Sequence, residues 1–426
     1  MKITRKIVFL MGSLFFFIAS GATILGVHFI KKDHNNKIEK IKSIWEEEYK
    51  GRFKLKYHLD HSVRDNIPTK ETLLNSFNNL IKKNNVNAQI KYIEDNNLQD
   101  IIKEEENLKF IYKNTILNLN VGKFDSEKIK HVYKEKNIDS RRNNPKQVVK
   151  IGYFLKKDGT FETSVFDQNT DTVPNKLPIA INSLKNAFHS NINKTINGIE
   201  AWDISNVTDM SSMFWRAENF NQDISNWDTS NVTNMSYMFF NNWNFNQNIG
   251  KWNTSNVTNM HSMFHIATKF NQDLSNWDTS NVTQMYQMFY LARSFNGSIG
   301  NWNTSKVQLM GFMFNGAESF NQDISNWDTS NVWNMEYMFS STNNFNQDIS
   351  NWDTSNVTTM EGMFRDAKKF DQNLSNWNVN KVDEFNNFIR DAKKMNENKI
   401  PKKFCNRIKI VILLRKEKCI NEYKSR

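Results

Sequence analysis

Cysteine, proline and glycine are all scarce in this chain of 426 residues. Only Cys405 and Cys419 occur, which excludes a disulfide-rich scaffold, and their spacing matches no metal-binding motif. They leave two states open, one structural disulfide or two reduced thiols. With 5 prolines and 14 glycines, the composition also excludes a collagen-like or low-complexity chain. Aromatic residues reach 13%, so a packed core is expected.

The motifs of common enzymes are also missing. There is no glycine-rich phosphate loop, no HExxH and no nucleophile elbow. His261 and His265 have the i, i+4 spacing that can hold a metal ion, but a third ligand is missing. Four aspartates at one repeated position could form a calcium ladder, but their amide neighbours favour a structural role: Asp223, Asp273, Asp323 and Asp348. We therefore predict no enzyme activity, no metal ion, no cofactor and no small-molecule substrate.

A long apolar run lies near the N-terminus. Residues 7–30 contain no Lys, Arg, Asp or Glu, and about 20 apolar residues suffice to cross a bilayer. Preceding basic residues such as Arg5 and Lys6 favour a cytoplasmic N-terminus. A cleaved signal peptide is the alternative, although its apolar core is usually shorter. We predict that residues 1–32 are an uncleaved single-pass membrane anchor and that the rest of the chain is extracellular.

The next two segments differ in pattern. Residues 33–145 are strongly charged and contain apolar residues at helical spacing, which predicts a mostly helical stalk or small module. In residues 146–180, Asp158 and Gly159 lie between two runs rich in β-forming residues, which predicts a tight hairpin and a lead-in cap.

What dominates the chain is one unit repeated at constant length. The stretch FNQDISNWDTSNV begins at Phe220 and recurs unchanged at Phe320 and Phe345. Tryptophan returns every 25 residues, at Trp202, Trp227, Trp252, Trp277, Trp302, Trp327, Trp352 and Trp377. Such a period predicts a solenoid over residues 181–396, because one unit buries its apolar side only against its neighbours. A basic C-terminal cap over residues 397–426 follows.

Within a unit, the spacing predicts a short helix and a short extended segment. Met210, Met213, Phe214 and Ala217 stand at i, i+3, i+4 and i+7, which places them on one helical face. The following polar stretch is expected to be extended, with Trp227 pointing inward. The predicted fold class is therefore an α/β repeat solenoid of strand-plus-helix coils, preceded by a transmembrane helix and a mostly helical stalk. The repeated Trp and Met are predicted to form its core.

Some positions of the unit vary freely between copies and are rich in aromatic residues. Exposure to solvent alone would explain why the residues at these positions vary. It would not explain the many large aromatic side chains, which commonly anchor protein interfaces. The candidate ligand-binding face consists of Trp215, Phe240, Trp243, His261, His265, Tyr286, Tyr290, Arg293, Trp333, Glu336 and Arg365.

Charge is segregated along the chain. Residues 201–380 contain 16 acidic and 8 basic residues, a net charge of −8, so the remainder carries +19. An acidic repeat region repels phosphate, and no nucleic-acid-binding motif is present. We therefore predict no nucleic-acid partner.

The repeat resembles a known family. The unit WDTSNVTNMSYMFFNNWNFNQNI is similar to the repeat of BspA-like bacterial surface leucine-rich-repeat proteins, in the Asn-rich 25-residue form found in wall-less bacteria (mollicutes). This resemblance implies a leucine-rich-repeat-like right-handed solenoid, display at the cell surface, and a role in adhesion, host interaction or antigenic variation. Met and Phe stand where that family usually has Leu.

Together these observations predict a membrane-anchored surface protein that binds an extracellular or host protein through the variable face. The alternative is a passive structural or antigenically variable coat protein without a dedicated ligand.

Overall fold

The computed structural model describes residues 30–52, 67–93, 98–124, 129–134 and 146–405. They fall into two compact units. The first unit comprises Met1–Ile129 and Phe154–Phe161, and the second comprises Lys130–Tyr153 and Glu162–Arg426.

The first unit combines helices with one antiparallel sheet. Helix α1 covers residues 30–44 and continues as a π-helical turn, Trp45–Tyr49, and helix α2 is Lys70–Lys83. Thr69 caps α2, because its side chain accepts a hydrogen bond from the Thr72 N–H. The sheet has the order β1-β2-β3, with β1 Lys91–Tyr92, β2 Asn107–Tyr112 and β3 Thr115–Asn120.

The prediction of a mostly helical stalk over residues 33–145 is wrong. Its two helical patterns do form helices, but Leu108 and Phe110 in β2 face Leu119 and Leu117 in β3, and all four are buried. The residues after α2 that alternate with period two therefore form a sheet. Trp45 packs edge-on against Phe77 of α2 at 5.0 Å and lies 6.1 Å from the Phe110 ring of β2, so helices and sheet share one core.

None of the helices in the described part of the chain is both long and apolar enough to cross a membrane. This finding contradicts the predicted single-pass membrane location with an extracellular repeat domain. The predicted span itself, residues 7–30, lies outside the described residues except for Ile30.

Short strands precede the repeats. They are β4 Val132–Tyr133, β5 Lys146–Lys150, β6 Tyr153–Leu155, β7 Phe161–Thr163 and β8 Thr170–Thr172. Strand β5 pairs antiparallel with β4 and parallel with β8, and β6 pairs with β7. The turn between β6 and β7 contains Asp158 and Gly159, and Gly159 has a φ of 84°, which favours glycine.

The repeats stack through single parallel bridges. Asp209 pairs with Asn234, and equivalent pairs recur every 25 residues up to Thr359 and Glu384. Each bridge is one residue long, so the region has no multi-residue strand between residues 173 and 396, all of which are described. We call residues 183–392 the repeat stack.

The predicted fold class, an α/β solenoid of strand-plus-helix coils, is therefore wrong. The segment Met210–Ala217 forms turns instead of a helix, because Ser212 and Arg216 have left-handed φ values of 56° and 55°. The Met210 N–H donates to the next unit at Asn234 O, at 3.0 Å, and alternate residues repeat this bond. The backbone groups that a helix satisfies internally are thus satisfied by the neighbouring copy.

The core of the repeat stack consists of columns of identical residues. Phe214 stacks on Phe239 with ring centroids 5.7 Å apart, and Trp227 stacks on Trp252 at 6.5 Å. Met210 and its equivalents are fully buried. The predicted core position of the repeated Trp and Met is confirmed. The variable positions lie outside these columns, although some of their residues, such as Ser262 and His265, are buried as well.

Candidate ligand-binding face

The variable face is formed by four positions of each unit: residues 211, 212, 215 and 216, and their equivalents at 25-residue steps. They alternate with the buried side chains of Met210, Met213 and Phe214. Because the units stack in register, side chains at one position lie directly above their equivalents in the next unit.

Five rings at one of these positions form a continuous stack, which we call the aromatic row. His189 lies 4.4 Å from Trp215, and Trp215 lies 5.8 Å from Phe240. His265 follows at 4.2 Å from Phe240, and Tyr290 at 4.4 Å from His265. The angles between neighbouring planes are 13–20°. The aromatic row therefore contains four of the predicted site residues. Its first ring, His189, was not predicted.

The stacking decides which part of each ring a partner can reach. Neighbouring rings cover both faces of Trp215, Phe240 and His265, which leaves only the ring edges for a partner to reach, and His265 is itself only 9% exposed. Ring edges have a positive partial charge and ring faces a negative one. The row therefore presents positive edges, which suit oxygen acceptors better than sugar faces or cations.

The imidazole groups of this face are neutral at pH 7. Burial lowers the pKa of His265 to about 4, and the nearby His261 shifts it in the same direction. Burial also lowers the pKa values of His261 and His189. The row is therefore an uncharged apolar strip at neutral pH, although it contains two histidines.

A second group crosses the face beside the row. His261 stacks on Tyr286 at 5.4 Å, and the Tyr286 hydroxyl donates to Glu336 Oε1 at 3.2 Å. Gly311 lies between the two partners, where a Cβ atom would lie 2.9 Å from Tyr286 Cε2. Burial raises the pKa of Tyr286 to about 12, and the charge and hydrogen bond of Glu336 add to this effect.

The same arrangement occurs further along. Phe312 stacks on Tyr337 at 4.9 Å, and the Tyr337 hydroxyl donates to Glu361 Oε1 at 2.9 Å. The ring of Tyr337 occupies the space that a Cβ atom of Gly362 would need. Phe312 and Tyr337 were not predicted, because their position, which also holds Tyr237, was not compared between units.

The remaining predicted site residues lie apart from the row. Trp243 and Arg293 share one position two units apart, and Arg293 Nε lies 3.5 Å from Glu318 Oε1. Trp333 directly precedes the bridge residue Asn334, and both Trp243 and Trp333 are 44% exposed. Arg365 Nε lies 3.3 Å from its neighbour Asp366. Across the described residues, no ring contact joins Trp243 or Trp333 to the aromatic row.

The repeated aspartates have local partners. Asp223 Oδ1 accepts a hydrogen bond from the Ser225 N–H at 2.9 Å, and Asp273, Asp323 and Asp348 make the same bond. In the described ranges, no three His, Cys, Asp or Glu side chains are grouped to hold a metal ion.

The chain belongs to a family of repeat proteins. A family described as "Mycoplasma protein of unknown function, DUF285" matches residues 182–302 and 292–403, which together span slightly more than half of the chain. This membership fits the expected repeat protein of a wall-less bacterium. It does not establish the BspA-like leucine-rich-repeat type. No curated protein and no solved structure matches the chain.

Proposed function

We propose that this chain is a surface-associated repeat protein that binds another protein through the aromatic row. The observation behind the proposal is the stack of Trp215, Phe240, His265 and Tyr290, four partly or largely buried rings at a position free to hold any polar residue. Large aromatic side chains are enriched among the residues that dominate binding energy in protein interfaces.

The rigidity of the face also favours binding. Each ring of the row is fixed by its neighbours before any partner arrives, so little side-chain entropy is lost on association. Preorganised side chains of this kind strengthen affinity without additional contact area.

The alternative is a passive coat protein without a ligand. It explains why the residues of this face vary between units, but not why they pack against each other. In a coat, exposed positions would change independently of one another. Here the large side chains of Tyr286 and Tyr337 occupy the space left by Gly311 and Gly362. Residues on this face are matched to each other across units.

A binding experiment with ring-removing variants tests the proposal. The full chain is applied to immobilised host-cell surface material, with and without prior protease treatment of that material. We expect saturable binding that protease treatment abolishes and that Trp215→Ala and Tyr290→Ala each weaken at least about tenfold. Trp243→Ala is the matched control, because Trp243 is exposed but lies outside the row.

Two outcomes would contradict the proposal. One is equal binding by the wild type, Trp215→Ala and Tyr290→Ala, when all three unfold cooperatively at similar denaturant concentrations. The other is binding that survives protease treatment of the surface, which would point to a ligand other than protein.

A further inference from the structure

Two hydrogen-bond donors of the aromatic row reach solvent without an acceptor, and the buried Nδ1 of His265 between them has no partner among the described residues either. Neither Trp215 Nε1 nor Tyr290 Oη has a hydrogen-bond partner among the described residues, and neither is a buried unsatisfied atom. Both groups therefore reach solvent at the edges of their rings. The guanidinium of Arg216 lies 5.4 Å from the Trp215 ring centroid and likewise has no described ion-pair partner.

The buried indole donors of the repeat stack are satisfied internally. The indole of Trp302 donates to Leu274 O at 3.0 Å, and the same bond to the residue 28 positions earlier is made by Trp202, Trp227, Trp252, Trp277, Trp327, Trp352 and Trp377. The hydroxyls of Tyr286 and Tyr337 donate to glutamates. The side-chain donors of Trp243, Trp333 and Tyr237 also have no hydrogen-bond partner among the described residues, but in the row two such donors belong to one continuous stack of rings, beside Arg216.

The charge around the row differs from that of the rest of the stack. Residues 211–216, 236–241, 261–266, 286–291 and 311–316 contain no Asp or Glu, and Arg216 is their only Lys or Arg. The whole of residues 201–380, in contrast, carries a net charge of −8. These segments contribute no carboxylate of their own, although Glu336 reaches the Tyr286 hydroxyl from a later unit.

We propose that the aromatic row binds an extended, carboxylate-rich segment of a partner polypeptide. This inference rests on the proposed function and names the chemistry of the partner. Carboxylate oxygens would accept hydrogen bonds from Trp215 Nε1, Tyr290 Oη and Arg216, and would lie against the positive ring edges. Trp215 and Tyr290 lie three units apart, roughly 15 Å at the usual strand spacing, which an extended segment of about five residues spans.

Synthetic peptides test this inference on the full chain. The probe is a fluorescein-labelled peptide with six consecutive glutamates between Gly-Ser flanks, and the matched probe has six glutamines instead. Binding of each peptide is measured by fluorescence anisotropy. We expect the glutamate peptide to bind at least about tenfold more tightly than the glutamine peptide, and rising salt to weaken it.

Conservative variants then identify the donors. Trp215→Phe and Tyr290→Phe keep an aromatic ring but remove the N–H or O–H, and each is expected to weaken glutamate-peptide binding about tenfold. Arg216→Gln should weaken it by a similar factor. Tyr286→Phe is the matched control: it also removes a hydroxyl, but one already bonded to Glu336, so affinity should change less than about twofold.

Several results would overturn the inference. They are equal affinity for both peptides, unchanged binding in all three donor variants, and tighter binding of a single-stranded oligonucleotide of equal charge. The proposed function would survive any of these if ring removal by Trp215→Ala still abolished binding to protease-sensitive surface material. If neither ring removal nor donor removal changes any binding, both proposals fail.

Discussion

The hydroxyl of Tyr286 donates a hydrogen bond to Glu336, although the two residues lie two repeat units apart. The bond is possible because Gly311, in the unit between them, leaves room for the Tyr286 ring. A change in one unit therefore alters the surroundings of side chains in the units on either side. The variable positions form a packed surface whose members depend on each other.

Substitution of the intervening glycine should break this pair. In Gly311→Ala the new Cβ atom would lie 2.4 Å from Asn334 Oδ1 and 2.9 Å from Tyr286 Cε2, so both side chains must shift. The pKa of Tyr286, about 12 in the wild type, should fall towards the ordinary tyrosine value as the ring gains solvent and loses Glu336. Titration of ring-labelled tyrosine by NMR measures this change.

Two glutamine variants control that experiment. Glu336→Gln removes the charge that helps to raise the pKa of Tyr286, and should lower it without adding a Cβ atom. Glu361→Gln affects Tyr337 instead and should leave Tyr286 unchanged. An unaltered Tyr286 titration in Gly311→Ala would show that the ring does not depend on the glycine.

Loss of one core tryptophan should destabilise the stack far more than loss of an exposed one. Trp302 is 3% exposed, stacks on Trp277 and Trp327 at 6.2 Å, and donates to Leu274 O. We expect Trp302→Ala to lower the free energy of unfolding by about 3–5 kcal/mol and Trp243→Ala by less than about 0.5 kcal/mol. Urea denaturation of both variants checks the difference, and equal losses would refute the assigned core.

Acid should destabilise the second unit through His131. Its Nε2 bonds to Ser164 O at 2.8 Å, its Nδ1 accepts the Gly152 N–H at 3.1 Å, and its ring stacks on Phe166 at 3.8 Å. These contacts bury the ring and require a neutral Nδ1. Burial lowers the pKa of His131 to about 4, opposed only in part by the bond to Ser164.

The sign of the pH effect follows from this depressed pKa. Between pH 6.5 and about 4 the unfolded chain binds a proton at His131 that the folded chain does not. Stability from this group is therefore complete above pH 6.5 and lost as the pH falls towards 4, by at most roughly 3 kcal/mol. His131→Gln should lose correspondingly less stability between pH 7.5 and 4.5 in urea denaturation. Identical pH profiles would contradict the assignment.

Two threonines of one unit provide a matched test of buried hydrogen bonds. Thr254 is 1% exposed and its hydroxyl donates to Asp278 O at 2.9 Å, whereas the exposed Thr258 donates to Thr233 O at 3.2 Å. Thr254→Val removes the hydrogen bond of a buried hydroxyl and should cost about 1–2 kcal/mol. Thr258→Val should cost less than about 0.5 kcal/mol, because water replaces its hydroxyl. Thermal unfolding of both variants decides the point.

The sequence allows the repeat and its core to be predicted, but not the local backbone. Constant spacing identified Trp227 and Met210 as buried, since only stacked copies explain such regularity. The i, i+3, i+4 spacing of Met210, Met213 and Phe214 suggested a helix, yet a series of turns places the same residues inside. The residues next to Ser212 in the sequence do not indicate its left-handed φ, because hydrogen bonds to the next unit hold its backbone in place.

The site residues could be predicted where the residues at one position of the repeat were compared between successive units. Comparison of equivalent residues identified Trp215, Phe240, His265 and Tyr290, and the structure stacks them. His189 was missed because the first unit is displaced by 26 residues instead of 25, as its bridge from Ser183 to Asp209 shows. Which donors stay unfilled depends on contacts between units and cannot be deduced from residue types.

The fixed register of the bridges makes the stack modular. Every junction between units uses the same backbone bonds, so deletion or duplication of 25 consecutive residues recreates a junction that already exists. A deletion after Ser340 would shorten the protein and leave the aromatic row intact, whereas one between Trp215 and Tyr290 would remove a ring. The length of the molecule and its recognition surface can thus change independently.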